Sequence, residues 1–155
     1  MKALIIYTSI HQNTEKIARA MAEVLDAKLV KPSEIEPEEL KNYDLIGFGS
    51  GIYFWQHHQN LINFVKKLPV LKNKKAFIFS TSGIRYGKKI IHFSLRKLLV
   101  KKSFQIVGEF NCPGWDTFSF LKIFGGINKN RPNENDLAKA RNFAHLLQDS
   151  DTEKV

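Results

Sequence analysis

Four runs of almost unbroken apolar residues constrain this chain more than any other feature. They are residues 2–8 (KALIIYT), 44–50 (DLIGFGS), 74–81 (KKAFIFST) and 103–111 (SFQIVGEFN). A strand with one wet face alternates apolar and polar side chains, whereas a strand covered on both faces does not. The segments between the runs have a helical period instead. Ile17, Met21, Val24 and Leu25 share one face, and so do Leu61, Phe64, Val65 and Leu68. Ile91, Leu95, Leu98 and Leu99 repeat the pattern, as do Leu137, Ala140, Ala144 and Leu147. Residues 27–31 (AKLVK) give a weaker fifth strand at an edge, and Pro37 suits the first turn of a short helix. Strands alternating with helices predict a parallel sheet with helices on both faces. The 155 residues suit one such domain over 1–155, with 148–155 read as a frayed tail.

In sheets of this kind ligands bind beyond the carboxyl ends of the strands. That rule points to the loops after residues 8, 49 and 80, and to the long connection from Asn111 to Asn133. The first loop, within YTSIHQNTEKIA, gathers the hydroxyls of Thr8, Ser9 and Thr14 and the amide of Asn13. They stand before a helix expected to begin near Glu15, capped by Asn13 or Thr14. Unsatisfied N–H groups at a helix start attract anions. Neither G-x-x-x-x-G-K-[ST] nor G-x-G-x-x-G occurs, so a nucleotide triphosphate or a pyrophosphate lacks its usual cradle. Neutral hydroxyls suit one terminal phosphate monoester.

Three other loops carry rings and donors. Gly49 and Gly51 precede Tyr53, Phe54 and Trp55, and let the backbone approach a planar ligand. Ser82 and Gly83 can present N–H groups, with Arg85 and Tyr86 just beyond them. Trp115 and Asp116 lie in the long connection.

Net charge is +9, and it is unevenly placed. Between Asp44 and Glu109 there is no acidic residue, while that stretch holds twelve of the 24 Lys and Arg. Lys88, Lys89, Arg96, Lys97, Lys101 and Lys102 are expected to form a basic ridge on one helix, 88–102. Such a ridge suits an anionic partner. The single cysteine, Cys112, fits a reducing cytoplasm. His57 and His58 are adjacent, not four apart as a helical metal pair would be, and are read as a helix start. No base-reading motif accompanies the lysines, so no nucleic-acid partner is expected.

The segment LIIYTSIHQNTEKIARAM resembles the phosphate loop of the flavodoxin family, with Tyr7, Ser9, Thr14 and Ala18 in register and Gln12 and Met21 departing from the pattern. GFGSGIYFWQHHQNLINFVKKLP, FSTSG and GGINKNRPNENDLAKARNFA extend the resemblance over nearly the whole chain. It implies a flavodoxin-like three-layer sandwich with a five-stranded parallel sheet of order 2-1-3-4-5, binding FMN. The implied FMN contacts are Thr8, Ser9, Ile10, His11, Gln12, Asn13 and Thr14 at the phosphate. On the second loop they are Ser50, Gly51, Ile52, Tyr53, Phe54 and Trp55; on the third, Thr81, Ser82, Gly83 and Tyr86; on the fourth, Trp115 and Asp116. The implied function is electron carriage between partners. The alternatives are an oxidoreductase resembling the menaquinone-dependent protoporphyrinogen oxidase, or a binding module that has lost FMN. Familiar flavodoxins are acidic and this chain is basic, so the expected partner is an acidic redox protein or an anionic membrane surface carrying quinone.

Overall fold

The computed structural model describes residues 1–83, 87–114 and 130–152. Five parallel strands form the sheet: β1 (Ala3–Thr8), β2 (Lys28–Val30), β3 (Leu45–Tyr53), β5 (Lys74–Ser82) and β6 (Phe104–Pro113). Their spatial order is β2-β1-β3-β5-β6, which is the expected 2-1-3-4-5 with the main strands numbered consecutively. The sheet nevertheless has six strands, not five. The sixth, β4 (Gln56–His57), turns back antiparallel on the end of β3. Sequence patterning misses it because two residues have no period.

The helices are α1 (Asn13–Leu25), α2 (Gln59–Lys67), α3 (Lys88–Ile91), α4 (Phe93–Lys101) and α5 (Glu134–Thr152). The expected helix over 88–102 is therefore divided at His92, whose side chain is fully buried. Pro37 does open a short helix, a 3₁₀ segment over Pro37–Asn42. α5 continues past the expected fraying point at 148, where the Gln148 side chain donates to the Val24 carbonyl at 2.7 Å.

Each face of the sheet has its own core. Leu4, Ile6, Ile46, Phe48 and Ile78 pack under α2 and α4, against Leu61, Val65, Leu95 and Leu99. Ile5, Tyr7, Phe77 and Phe79 pack under α1 and α5, against Ile17, Met21, Ala140 and Ala144. Burial on both faces explains the unbroken apolar runs. Gly47 and Gly49 belong to this second core. A methyl built on either would sit well under 3.0 Å from ring carbons of Phe77 or Phe79. Gly49 thus makes room for a buried ring of the neighbouring strand, which corrects the expectation that it opens the backbone to a ligand.

Candidate functional site at the carboxyl edge of the sheet

The apolar runs stop at one level. Thr8, Ser50, Ser80 and Asn111 are register partners across β1, β3, β5 and β6, so polar side chains cross the sheet where the core ends. Ser50 and Ser80 are fully buried, and their partners hold the edge together. The Ser50 hydroxyl lies 2.9 Å from His57 Nδ1, accepts the His58 N–H at 2.9 Å, and lies 2.7 Å from the Gly51 carbonyl. The Ser80 hydroxyl lies 2.7 Å from His92 Nε2 and 3.0 Å from Asn111 Oδ1, which the Ser82 hydroxyl also reaches at 3.2 Å. His92 Nδ1 stands 3.1 Å from Glu109 Oε2, and Arg96 clasps the same carboxylate with Nη2 at 2.7 Å and with Nε. The rings of His57 and His92 are 5.1 Å apart. Strand ends and α4 are therefore tied into one unit. Sequence reasoning placed Arg96 on the basic ridge; its guanidinium is instead committed to Glu109.

These groups make stability pH-dependent. Burial first, then the neighbouring His92, holds the His57 imidazole well below its ordinary 6.5. Burial lowers His58 as well. Burial is the largest single influence on Glu109 and acts upward, but the bonds from Arg96 and His92 together outweigh it and the carboxyl lies below 4.5. Unfolded His57 takes up a proton near 6.5 while the folded one resists it. Its contribution is thus full above that pH and falls as pH drops through it; that of Glu109 is lost only on falling below 4.5. Urea melts should show stability declining from pH 6.5 downward, and His57→Leu should flatten the first part of that decline. An unchanged slope in the variant would remove His57 from the account.

The first loop joins β1 to the start of α1. α1 begins at Asn13, earlier than expected, and its N-cap is Gln12 in the left-handed conformation, φ 61°, with no capping bond from its side chain. Thr14, expected as a cap, is buried inside the first turn, and its hydroxyl lies 2.8 Å from that of Thr81. Such a pair uses one of its two protons internally, leaving the other for a third group. Gly114 backs the pair, since a Cβ there would stand 3.0 Å from Thr81 Cβ and 3.3 Å from Asn13 Nδ2. The Thr8 hydroxyl is buried without a partner among the described residues. Ser9 is half-buried, whereas Ile10, His11 and Gln12 are exposed. No carboxylate occurs before Glu15, and Arg19 meets that one at 2.6 Å. On the other side of the loop, a cleft of about 540 Å³ is lined by Thr8, Ser9, Lys31, Ser33, His58, Asn60 and Lys67, among others.

The second loop is a tight hairpin. Phe54 and Trp55 are its two turn residues, with φ 47° and 66°, and are 80% and 58% exposed. Turns of this hand favour Asn-Gly, because a side chain in the left-handed region crowds its own backbone. Two bulky rings are therefore held outward against local preference. Replacing them, Phe54→Asn with Trp55→Gly, should stabilise the fold by roughly 1–2 kcal/mol, read by chemical denaturation. A destabilised variant would show that the rings contribute packing. His57 and His58 do not begin a helix together: His57 is in β4, and His58 caps α2 by accepting the Asn60 N–H at 3.1 Å. Tyr53 meets the His58 ring edge-on at 5.4 Å. Ile52 and Gly51 are half-buried beside it.

Thr81 and Ser82 are buried at the end of β5, with Gly83 half-buried beyond them. Tyr86, Trp115 and Asp116, like Arg85, lie outside the described residues. Among the described residues no cluster of three His, Cys, Asp or Glu side chains is placed to hold a metal. Burial, then Asp136, pushes the Cys112 thiol up to about 12, so it stays protonated and unreactive.

A parallel sheet of this order with helices on both faces has known counterparts. The flavodoxin-domain family profile matches residues 4–112, and the chain belongs to that family. An uncharacterized protein of Methanocaldococcus jannaschii is 52% identical over 148 residues, covering 95% of this chain and 98% of its own. Oxidised flavodoxin 2 of Bacillus cereus superposes with a TM-score of 0.70 at 22% identity, over 97% of this chain and 99% of that one. An FMN-bound flavodoxin of Fusobacterium nucleatum superposes at 0.67 with 13% identity, again over 97% and 99%.

Proposed function

We propose that the protein binds FMN at this edge and carries electrons between partners. One observation supports the reading most: the start of α1, with no capping bond from the Gln12 side chain, carries the Thr14–Thr81 hydroxyl pair, with no carboxylate in the loop. These groups fit a phosphate monoester. Ser9, Asn13, Thr14 and Thr81 would hold the phosphate, with Thr8 on the cleft side of the loop, and the exposed rings of the β3–β4 hairpin would bear on the flavin. FMN supplies reversible one- and two-electron transfer when bound. The chain's own part is to hold the phosphate by charge-assisted bonds and to stack one ring face. The tied network of His57, His92, Glu109 and Arg96 keeps the strand ends still beneath that site.

The experiment is reconstitution of the purified protein with FMN. The expected outcome is a bound flavin spectrum, reduced by a small electron donor and reoxidised by an electron acceptor. Stacked rings quench flavin emission, so bound FMN should fluoresce weakly, and the Phe54→Asn, Trp55→Gly variant should restore much of the emission. Emission as strong as that of free FMN in the unmodified protein would overturn the stacking. No FMN binding at all would leave a flavodoxin fold serving as a binding module. Steady turnover of a quinone or a porphyrinogen would make it an oxidoreductase.

A further inference from the structure

The outer surface of α3 and α4 is neither uniformly charged nor apolar. Ile90, Phe93 and Val100 are 69%, 58% and 56% exposed, although α4 buries Leu95 and Leu99 on its inner side. Within α4, positions 93, 97 and 100 recur at helical spacing, so Lys97 stands in line with Phe93 and Val100, and Ile90 stands on α3 just before them. Lys89 and Lys101 flank the line, and both are exposed. α2 lies beside α4 over the same core, and adds exposed Lys66 and Lys67. Among the described residues none of these lysines is ion-paired: the sequence has no carboxylate between Asp44 and Glu109, and Glu109 is held by Arg96 and His92.

We infer that this face docks onto an anionic lipid surface, with Ile90, Phe93 and Val100 entering the headgroup boundary and the lysines meeting lipid phosphates. Two features favour lipid over an acidic protein. Protein interfaces favour Arg and deplete Lys, because the guanidinium fork fixes geometry while an ammonium does not. Here the described arginine of the helix is engaged elsewhere, and the exposed cations are all lysines. Second, Phe93 and Val100 stand on one side of α4 with Ile90 of α3 just before them, an apolar row like that of helices that lie in the plane of a membrane. Lysines can extend from such a line to phosphates while their stems cover apolar surface. No helix among the described residues is long and apolar enough to cross a membrane, so the contact would be peripheral. The inference does not depend on FMN, because the face and the phosphate loop share no residue.

The test is co-sedimentation of the full chain with phosphatidylcholine vesicles, with and without phosphatidylglycerol, and binding to polyglutamate as a protein-like polyanion. Binding is expected only to the phosphatidylglycerol vesicles, with release at high salt. Lys97→Glu with Lys101→Glu should weaken it roughly 25-fold or more, about five-fold for each lysine lost near an anionic surface. Phe93→Asp should weaken it about ten-fold or more, and Val100→Ser should act in the same direction if Phe93→Asp fails to melt like the parent. Lys28→Glu with Lys139→Glu makes the same charge change elsewhere and should cost much less. An equal loss in that pair would overturn the inference in favour of bulk charge. Retention on polyglutamate with indifference to Phe93→Asp would overturn it in favour of an acidic protein. Failure to bind phosphatidylglycerol vesicles even at low salt would overturn it outright.

Discussion

Gly49→Ala should cost roughly 3 kcal/mol of stability and lower the melting temperature by about 6–12 °C, from the cost of overpacking a core and the size of this domain. The added methyl would stand well under 3.0 Å from ring carbons of Phe79, which is completely buried. The ring cannot swing aside into solvent. It lies between β3, β5 and the α1–α5 layer, where Phe77 is 6.0 Å away and equally buried. Gly51→Ala makes the contrast. Its methyl would meet the Tyr53 hydroxyl at 2.9 Å, the far end of a half-buried side chain that can move, so its melting temperature should change little. A double-mutant cycle tests the cause: Gly49→Ala combined with Phe79→Leu should cost less than the two changes summed, since the smaller side chain relieves the clash. Normal melting of Gly49→Ala together with weakened flavin binding would return Gly49 to the ligand.

The fold was legible because burial on both sheet faces leaves a trace that survives without context. Unbroken apolar strands and helices with one apolar face admit few arrangements. Pairs remote in sequence were not legible. Gly49 reads as a ligand-approach glycine because nothing in GFGSG reports that Phe79 lies across it. Arg96 reads as a ridge cation because its carboxylate is thirteen residues away, on a strand. The buried histidines were missed for the same reason, yet a signal was present: GFGS, FIFS and EFN each end in a polar residue, and a parallel sheet aligns such endings into one row. The hairpin turn was hidden because Phe-Trp is an unfavourable pair for it, which is where local preference and site geometry disagree. The hydroxyl-rich first loop was legible in composition but not in detail, since Thr14 meets Thr81 from another strand and does not cap the helix.

FMN should bind at least a hundred-fold more tightly than riboflavin, about 3 kcal/mol or more, the scale of two charge-assisted hydrogen bonds to the phosphate. The two ligands carry the same ring system and differ at the phosphate, so the difference isolates the first loop. The helix start adds a few tenths of a kcal/mol to about 1 kcal/mol, because the first-turn N–H groups of α1 carry partial positive charge and the Gln12 side chain does not cover them. Thr14→Val removes the hydroxyl that lies 2.8 Å from Thr81. It should weaken FMN by roughly 5- to 30-fold, about 1–2 kcal/mol, and leave riboflavin almost unchanged. Thr81→Val should do the same, and the double change should cost less than the sum, because the two hydroxyls act as one donor system. Titration calorimetry with both ligands and all three variants measures these quantities. Equal affinities for FMN and riboflavin in the parent would sink the phosphate assignment. Losses that fall equally on both ligands would show that the threonine pair shapes the loop without touching the phosphate. Selective loss for FMN alone requires a phosphate on the threonine side of Gln12, at the start of α1.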